Sequence, residues 1–118
     1  MLISLLKSKI HRATVTDADL HYEGSISIDK DLLEASGLHV NEHVHVWDVT
    51  NGNRFETYTI EAPAGSGTIC INGAAAHLAK KNDIVIITSF GYYTSETHAT
   101  HQPQVVLVDE NNKIKKIS

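Results

Sequence analysis

Three side chains in this sequence suit the binding of a small acidic substrate. Lys9 and Arg54 are cations in segments with strand-like patterns, and Tyr58 follows Arg54 by four residues. Because side-chain direction repeats every two residues along a strand, Arg54 and Tyr58 would share one face, while Thr57 would point to the other unless the strand bulges. A guanidinium can bind a carboxylate through two hydrogen bonds. The same residues also have an ordinary interpretation, as solvated charges and a core aromatic.

A run of small residues could hold an anion at the start of a short helix. The segment "NGAAAH", residues 72–77, places Gly73, Ala74 and Ala75 directly after Asn72. Glycine and alanine leave the first backbone N–H groups of a helix uncovered, and such groups bind anions. A tightly packed helix start explains the same pattern.

Eight histidines are many for a chain of 118 residues, and three of them are close together in sequence. His43 and His45 are two residues apart in "HVHV" and would share a strand face, with His39 nearby. Such a pair can bind zinc. No third and fourth ligand follow at useful spacing, and exposed strand faces often carry polar side chains. We therefore expect no metal site.

The sequence contains two Gly-Ser pairs, Gly24-Ser25 and Gly65-Ser66. A pair of this kind usually forms a turn. The "GxSxG" motif of many serine hydrolases is absent, and so are the glycine-rich loops that bind nucleotide phosphates. The residues alone therefore leave open whether either pair takes part in chemistry.

A mainly β structure must position these residues. Five to seven short segments have the patterns of strands, and two brief segments have those of helices. "IDKDLLEASG" predicts a helix with Asp29 as its N-cap and Gly37 after its last turn. Two alternating segments flank Asn51-Gly52, which predicts a hairpin with a type I′ turn. The pattern favours a compact β-barrel over a sandwich.

Composition and charge narrow the class of protein. With 42% hydrophobic and 20% charged residues, the chain fits a globular protein of one domain, residues 1–118. A net charge of −4 with scattered Lys and Arg argues against nucleic acid as a partner. The single cysteine, Cys70, has apolar neighbours that indicate a buried structural thiol. No segment has the pattern of a signal peptide or a membrane span, so we expect a cytoplasmic protein without a membrane partner.

Three motifs, taken in their order and spacing, resemble one family. They are "KSKIHRATVTDADLHYEGSISID" at 7–29, "WDVTNGNRFETY" at 47–58 and "NGAAAH" at 72–77. Together they resemble the pyruvoyl-dependent aspartate 1-decarboxylases, from Met1 to about Phe90, and "QPQVVLVDENNKI" suits that family's tail. The resemblance implies a double-psi β-barrel with two short helices, assembled as a homotetramer with active sites at subunit interfaces.

The resemblance implies that the chain cleaves itself between Gly24 and Ser25. The Ser25 hydroxyl would attack the Gly24 carbonyl carbon to give an ester, with Thr57 assisting near that carbonyl. Elimination and hydrolysis would release ammonia and leave a covalent pyruvoyl group in place of Ser25. The products would be a β chain of residues 1–24 and an α chain of residues 25–118. A glycine is expected at 24 because it can adopt a conformation forbidden to other residues.

The resemblance also implies decarboxylation of L-aspartate to β-alanine and CO2, a step toward pantothenate and coenzyme A. The pyruvoyl group would form a Schiff base with the substrate amine and accept electron density. Tyr58 would be the proton donor, whereas Arg54 and Lys9 would bind carboxylates. The remaining substrate contacts implied by the family are Thr57, Asn72, Gly73, Ala74 and Ala75.

The chain departs from the family pattern at several positions. Pro63 and Ala64 stand where an acidic residue and an arginine are expected, His77 where arginine is frequent, and Asn82 where glycine is commoner. None of these positions has an assigned catalytic role. We expect them to affect interface packing or stability.

Two other interpretations stay open. A small β-barrel DNA-binding or interaction module would share the strand pattern without self-cleavage, and its expected mark is a basic surface. A family member that has lost activity, or that requires a maturation factor, would carry the same motifs as an active one.

Overall fold

The two longest strands, β1 (Leu2–Thr14) and β7 (Ile84–Thr94), pair antiparallel along most of their length in the computed structural model, which describes residues 1–118. β7 is rich in β-branched and aromatic residues, which suit extended backbone, whereas β1 contains the β-branched residues Ile3, Ile10 and Thr14 among leucines and polar residues. The shorter strands are β2 (Asp17–Asp19), β3 (Ser25–Asp29), β4 (His43–Asp48), β5 (Arg54–Ala62), β6 (Ile69–Asn72), β8 (Gln104–Val108) and β9 (Ile114–Ile117).

The nine strands hydrogen-bond in the order β2-β6-β3-β5-β4-β7-β1-β8-β9. Three neighbouring pairs are parallel, namely β2 with β6, β3 with β5, and β1 with β8, and the other pairs are antiparallel. The prediction of a mainly β fold is confirmed, and this mixed sheet is consistent with the double-psi barrel. Nine strands exceed the expected five to seven because the expectation omits two short ones, β2 with three residues and β3 with five.

Alternating residues from the central strands form the core. Seventeen buried apolar side chains make one cluster, with isoleucines as its largest fully buried members. Burying one such side chain stabilises the fold by roughly 1.5–3 kcal/mol. The fully buried isoleucines are Ile10, Ile26, Ile28, Ile69, Ile71 and Ile87.

One of the two predicted helices is an α-helix and the other is not. Helix α1 (Lys30–Ser36) begins where Asp29 Oδ1 accepts a hydrogen bond from the Asp31 N–H at 2.8 Å. It ends at Gly37, whose φ of +74° is left-handed, as the sequence predicts. The second element, Gly73–His77, is a 3-10 helix. The sequence did not distinguish an α-helix from a 3-10 helix, since a single turn of either kind of helix can be formed by the same residue types.

The second Gly-Ser pair lies in a loop that Asp29 fixes. The Asp29 carboxylate is buried and also accepts hydrogen bonds from the Gly65 and Gly67 N–H groups, at 3.1 and 2.8 Å. Ser66, between them, is exposed, and its hydroxyl accepts a hydrogen bond from the Thr68 N–H. The loop is also held by Asn112, whose Nδ2 group donates to the Gly67 carbonyl at 2.8 Å.

The β4–β5 hairpin is present, but the prediction that it has a type I′ turn is wrong. That turn needs positive φ at both central residues, whereas Gly52 has a φ of +81° and Asn51 does not have a positive φ. The reason is Asp48, whose Oδ1 accepts hydrogen bonds from the Thr50 and Asn51 N–H groups at 2.9 and 3.1 Å. The side chain therefore closes a longer turn, which ends where the Asp48 N–H donates to the Asn53 carbonyl.

Candidate active site

The Gly24–Ser25 bond lies at the boundary between an exposed turn and a buried strand. Residues 20–24 are exposed, whereas Ser25 begins β3 and is 1% exposed. A buried hydroxyl requires a hydrogen-bond partner. The structure therefore holds the serine firmly and leaves the chain before it facing solvent.

Asn72 provides the partner for Ser25. The two residues are aligned across the antiparallel β3–β6 pair, and the Asn72 Nδ2 group donates to Ser25 Oγ at 3.0 Å. The same Nδ2 donates to Ser27 Oγ at 3.0 Å, and Asn72 is only 3% exposed. This buried amide holds the Ser25 oxygen at a fixed position.

Cys70 fixes the orientation of that amide. Its thiol contacts Asn72 Oδ1 at 3.2 Å, from two residues earlier on the same strand. Burial raises the pKa of Cys70, and the charges of Asp17 and Asp19 raise it further, so the thiol keeps its proton and donates. Since Oδ1 accepts from the thiol, Nδ2 must face the serines.

The sequence did not identify Cys70 as part of this site. It predicts a buried structural thiol, whereas Cys70 is half-buried and hydrogen-bonded. The sequence did contain a signal for this contact. Cys70 and Asn72 are two residues apart in "TICIN", and residues with that spacing on a strand share a face.

Gly73 packs directly against Gly24. With a φ of +70°, Gly73 is left-handed, and a Cβ there would lie 2.7 Å from Gly24 Cα and 3.0 Å from the Tyr22 carbonyl oxygen. By contrast, Gly24 does not have a positive φ, and a Cβ built on it meets nothing within 4 Å. The expectation of a forbidden conformation at Gly24 is therefore wrong for this intact chain. Glycine is required for steric reasons at position 73, because the Gly24 backbone packs against the Cα of Gly73 and leaves no room for a side chain.

The expected faces of β5 are confirmed. Arg54, Glu56 and Tyr58 lie on its exposed face, whereas Thr57 is half-buried on the other, and the pairing with β4 has no bulge. The first aligned pair between the parallel strands β3 and β5 joins Ile26 to Thr59. Ser25 comes directly before Ile26, and Tyr58 comes directly before Thr59. Tyr58 therefore lies on the strand next to Ser25, at the same level of the sheet.

The two cations lie farther from Ser25 within one chain. Lys9 is on β1, which is separated from β5 by β7 and β4 in the sheet. Arg54 begins β5, about 13 Å along the strand from Tyr58 at 3.3 Å per residue. Its guanidinium lies over the Trp47 ring, 4.7 Å from the centroid. One chain therefore brings together Gly24, Ser25, Asn72 and Gly73, with Tyr58 on the next strand, and leaves Lys9 and Arg54 apart.

The alanines of the 3-10 helix have different surroundings. Ala74 is exposed, while Ala75 is half-buried and packs against the core. Asn72, the N-cap residue, makes no side-chain cap, since its amide is hydrogen-bonded to the serines. The start of this short helix is thus joined to the serine by Asn72 and to Gly24 by Gly73.

Comparison with known proteins identifies the family. The model of the aspartate decarboxylase family matches residues 1–115. This chain belongs to the aspartate decarboxylase family. As a family member it is a carbon–carbon lyase, a decarboxylase. The resemblance drawn from the three sequence motifs is therefore confirmed.

Relatives within the family match over the whole chain. The aspartate 1-decarboxylase of Caldicellulosiruptor saccharolyticus is 58% identical over 118 residues, covering 100% of this chain and 92% of the relative. That of Caulobacter vibrioides is 58% identical over 98% of both chains. That of Neisseria meningitidis is 56% identical over 99% of this chain and 92% of its own. The structure contains no helix with the length and apolar character needed to span a membrane.

Proposed function

We propose that this protein decarboxylates L-aspartate to β-alanine and CO2, a step of pantothenate and coenzyme A biosynthesis, after cleaving itself between Gly24 and Ser25. The observation that carries the proposal is the contact of Asn72 Nδ2 with Ser25 Oγ in a chain of the aspartate decarboxylase family. A serine hydroxyl held in the first residue of a strand, directly after an exposed turn, supports the role of an internal nucleophile.

Self-cleavage uses the residues at the start of β3. The Ser25 Oγ attacks the Gly24 carbonyl carbon, the C–N bond breaks, and an ester links the two residues. Loss of the α-proton of residue 25 then expels the Gly24 carboxylate and leaves a dehydroalanine. One water hydrolyses this group, one ammonia leaves, and a ketone remains at the new N-terminus. Thr57 is the proposed hydrogen-bond donor to the oxyanion formed at the Gly24 carbonyl.

The surroundings of residue 25 fit a covalent pyruvoyl group. The position is buried, and the Asn72 Nδ2 donor already faces a side-chain oxygen there. In the pyruvoyl group the ketone oxygen replaces the nitrogen of residue 25, and Cβ becomes a methyl group once Oγ has left with Gly24. The buried start of β3 would hold that methyl group, and the Asn72 Nδ2 group, released from Oγ, would be a nearby hydrogen-bond donor. The pyruvoyl group supplies an electron sink for the pair of electrons left when the carboxylate departs.

The substrate is recognised by its charges. Aspartate carries two carboxylates, and Arg54 and Lys9 are the proposed cations that bind them. Tyr58 is the proposed proton donor to the α-carbon. The proposed contacts to the remaining substrate atoms are Thr57, Asn72, Gly73, Ala74 and Ala75.

The separation of the cations from Ser25 supports an active site shared between subunits. Lys9 lies three strands from Tyr58 in the sheet of one chain, so a second copy is the natural source of the missing cation. Large apolar side chains are also left exposed on β1 and β7, with Leu2 62% and Tyr92 76% exposed. Surfaces of this kind mark sites of association. The proposed assembly is a homotetramer.

Measurement of CO2 and β-alanine from L-aspartate tests this function. The wild-type protein is expected to release both, and Ser25→Ala is expected to release neither. Ser66→Ala is the matched control, because Ser66 belongs to the other Gly-Ser pair, and it should retain activity. Decarboxylation by the Ser25→Ala protein at the wild-type rate would refute the proposed chemistry. An inactive wild-type protein that becomes active with a cell extract would identify a member that requires a maturation factor.

A further inference from the structure

Two histidines and a glutamate converge on the exposed face of the β4–β5 hairpin. We propose that His43, His45 and Glu56 form a binding site for Zn²⁺. The site is separate from Ser25 and Asn72, and the proposal does not depend on the decarboxylase activity.

The ligand atoms are already close enough to share one ion. The imidazole nitrogens and the carboxylate oxygen lie within 4.8 Å of one another. His43 Nε2 is 2.7 Å from Glu56 Oε1, and His45 Nε2 is 3.7 Å from the same oxygen. In a tetrahedral zinc site with bonds of about 2.0–2.2 Å, ligand atoms are separated by about 3.3–3.6 Å. Small side-chain rotations therefore convert the present arrangement into a three-ligand site.

The strand pairing produces this cluster. His43 and His45 share a face of β4 because they are two residues apart, and their ring centroids are 5.1 Å apart. His45 is aligned with Glu56 across the antiparallel pair, so the carboxylate lies beside both imidazoles. The third ligand that is missing near the histidines in the sequence thus comes from the partner strand. Backbone hydrogen bonds on both strands hold the three Cα atoms in place before any metal binds.

The donor set selects the metal. Two neutral imidazoles and one carboxylate suit Zn²⁺ and related first-row ions, whereas Mg²⁺ and Ca²⁺ prefer oxygen ligands alone. The side chains of His43 and Glu56 are 67% and 59% exposed, so water can occupy the fourth position. His45 is more enclosed, and its ring contacts the edge of Phe90 at a centroid distance of 5.5 Å. This contact limits the rotation of one ligand.

Nearby cations do not oppose the ion. Lys7 donates to the Glu42 carboxylate at 2.8 and 2.9 Å, so its charge is paired. Arg54 is two residues from Glu56 on the same strand face, but its guanidinium lies over Trp47. The carboxylate of Glu56 is therefore left to the two histidines.

Titration calorimetry of the metal-stripped, fully assembled protein with ZnCl2 tests the site. We expect one Zn²⁺ per chain, with affinity reduced about tenfold or more in each of His43→Ala, His45→Ala and Glu56→Gln, because each removes one of three ligands. His39→Ala and Glu61→Gln are the controls, since both residues are exposed and outside the cluster. They should bind as the wild-type protein does. A large excess of Mg²⁺ should not compete.

The change in Tm on addition of ZnCl2 is a second measurement, and it remains informative for variants that are less stable than wild type. Zn²⁺ that binds only the folded protein raises its Tm, so the wild-type Tm should rise with ZnCl2 and that of the triple variant should not. Co²⁺ in the same site should give the visible absorption of a four- or five-coordinate ion. Absence of Zn²⁺ uptake by the wild-type protein would overturn the proposal. Equal uptake by the wild-type protein and the triple variant would do the same.

Discussion

The Asn72 side-chain amide donates a 3.0 Å hydrogen bond to the hydroxyl of Ser25, while its oxygen accepts one from the Cys70 thiol. The amide thus has one fixed orientation, and the serine oxygen has one fixed donor. Immediately beyond Asn72, the Cα of Gly73 packs on the backbone of Gly24. Both sides of the proposed cleavage point are therefore held by consecutive residues at the end of β6.

Removal of the Asn72 amide should slow self-cleavage. Asn72→Ala leaves the Ser25 hydroxyl free to rotate, and a hydrogen bond contributes about 1 kcal/mol, so cleavage should be about fivefold slower or more. The measurement is the disappearance of the full-length chain on gels during cell-free synthesis. Asn53→Ala is the control, because the Asn53 amide donates to the Leu78 carbonyl instead. Cleavage of the Asn72→Ala chain at the wild-type rate would refute the positioning role.

A methyl group at Gly73 should block cleavage by displacing Gly24. In Gly73→Ala the new Cβ would lie 2.7 Å from Gly24 Cα, so that backbone must move, and the left-handed φ adds roughly 1–2 kcal/mol of strain. The full-length chain should accumulate, as measured by intact mass.

Gly52→Ala separates the two effects of that substitution. Gly52 also has a positive φ, of +81°, but a Cβ there meets nothing within 4 Å. The Gly52→Ala protein should lose about as much stability from backbone strain as the Gly73→Ala protein, yet it should be cleaved at the wild-type rate. If the Gly52 and Gly73 variants accumulate uncleaved chain equally, strain alone accounts for the effect and the contact with Gly24 does not.

Substitution of Cys70 should test the orientation of the amide. Cys70→Ala removes the donor to Asn72 Oδ1, so the amide can turn its oxygen toward Ser25 and cleavage should slow by a few-fold. Cys70→Ser keeps an O–H donor at the same position and should be cleaved at close to the wild-type rate. Equal rates for the alanine and serine variants would show that the thiol does not orient Asn72.

Asp48 should make stability fall as pH rises. Burial, together with a hydrogen bond from the protonated carboxyl to Asp83, raises its pKa from an ordinary 3.8 to about 6. Between pH 3.8 and about pH 6 the folded chain binds more protons than the unfolded chain, so the free energy of unfolding decreases as the pH rises. Asp48→Asn keeps the acceptor for the turn and replaces the acidic proton with a permanent donor.

Urea denaturation at pH 4.5 and pH 7.5 measures this effect. The Asp48→Asn protein should be more stable than wild type at pH 7.5, by on the order of 1 kcal/mol, and the difference should shrink at pH 4.5. A difference that is constant between the two pH values, or larger at pH 4.5, would contradict the assignment.

Local features of the site were predictable from the sequence. The four-residue spacing of Arg54 and Tyr58 gave their shared strand face, and Thr57 lies on the opposite one. Asp29 and Gly37 gave both ends of α1. Asn82, one of the departures from the family pattern, adopts a φ of +77°, which asparagine tolerates nearly as well as glycine. Such features depend on residues only a few positions apart.

Contacts between distant segments were not predictable in this way. Gly73 meets Gly24 only because β3 pairs with β6, and no local pattern encodes that pairing. The hairpin turn was missed because the side chain of Asp48 competes for the N–H groups that a type I′ turn leaves to water. Glu56 joins the two histidines through the register of β4 and β5, which the hairpin signal at Asn51-Gly52 indicated only approximately.

The intact mass of the purified wild-type protein under denaturing conditions tests the central claim most directly. Two species are predicted, residues 1–24 with a free carboxylate and residues 25–118 beginning with a pyruvoyl group, while Gly65-Ser66 stays intact. Their summed mass should equal that of the full chain plus one water and minus one ammonia. A single chain of residues 1–118 that persists on prolonged incubation would contradict autonomous cleavage at Gly24-Ser25.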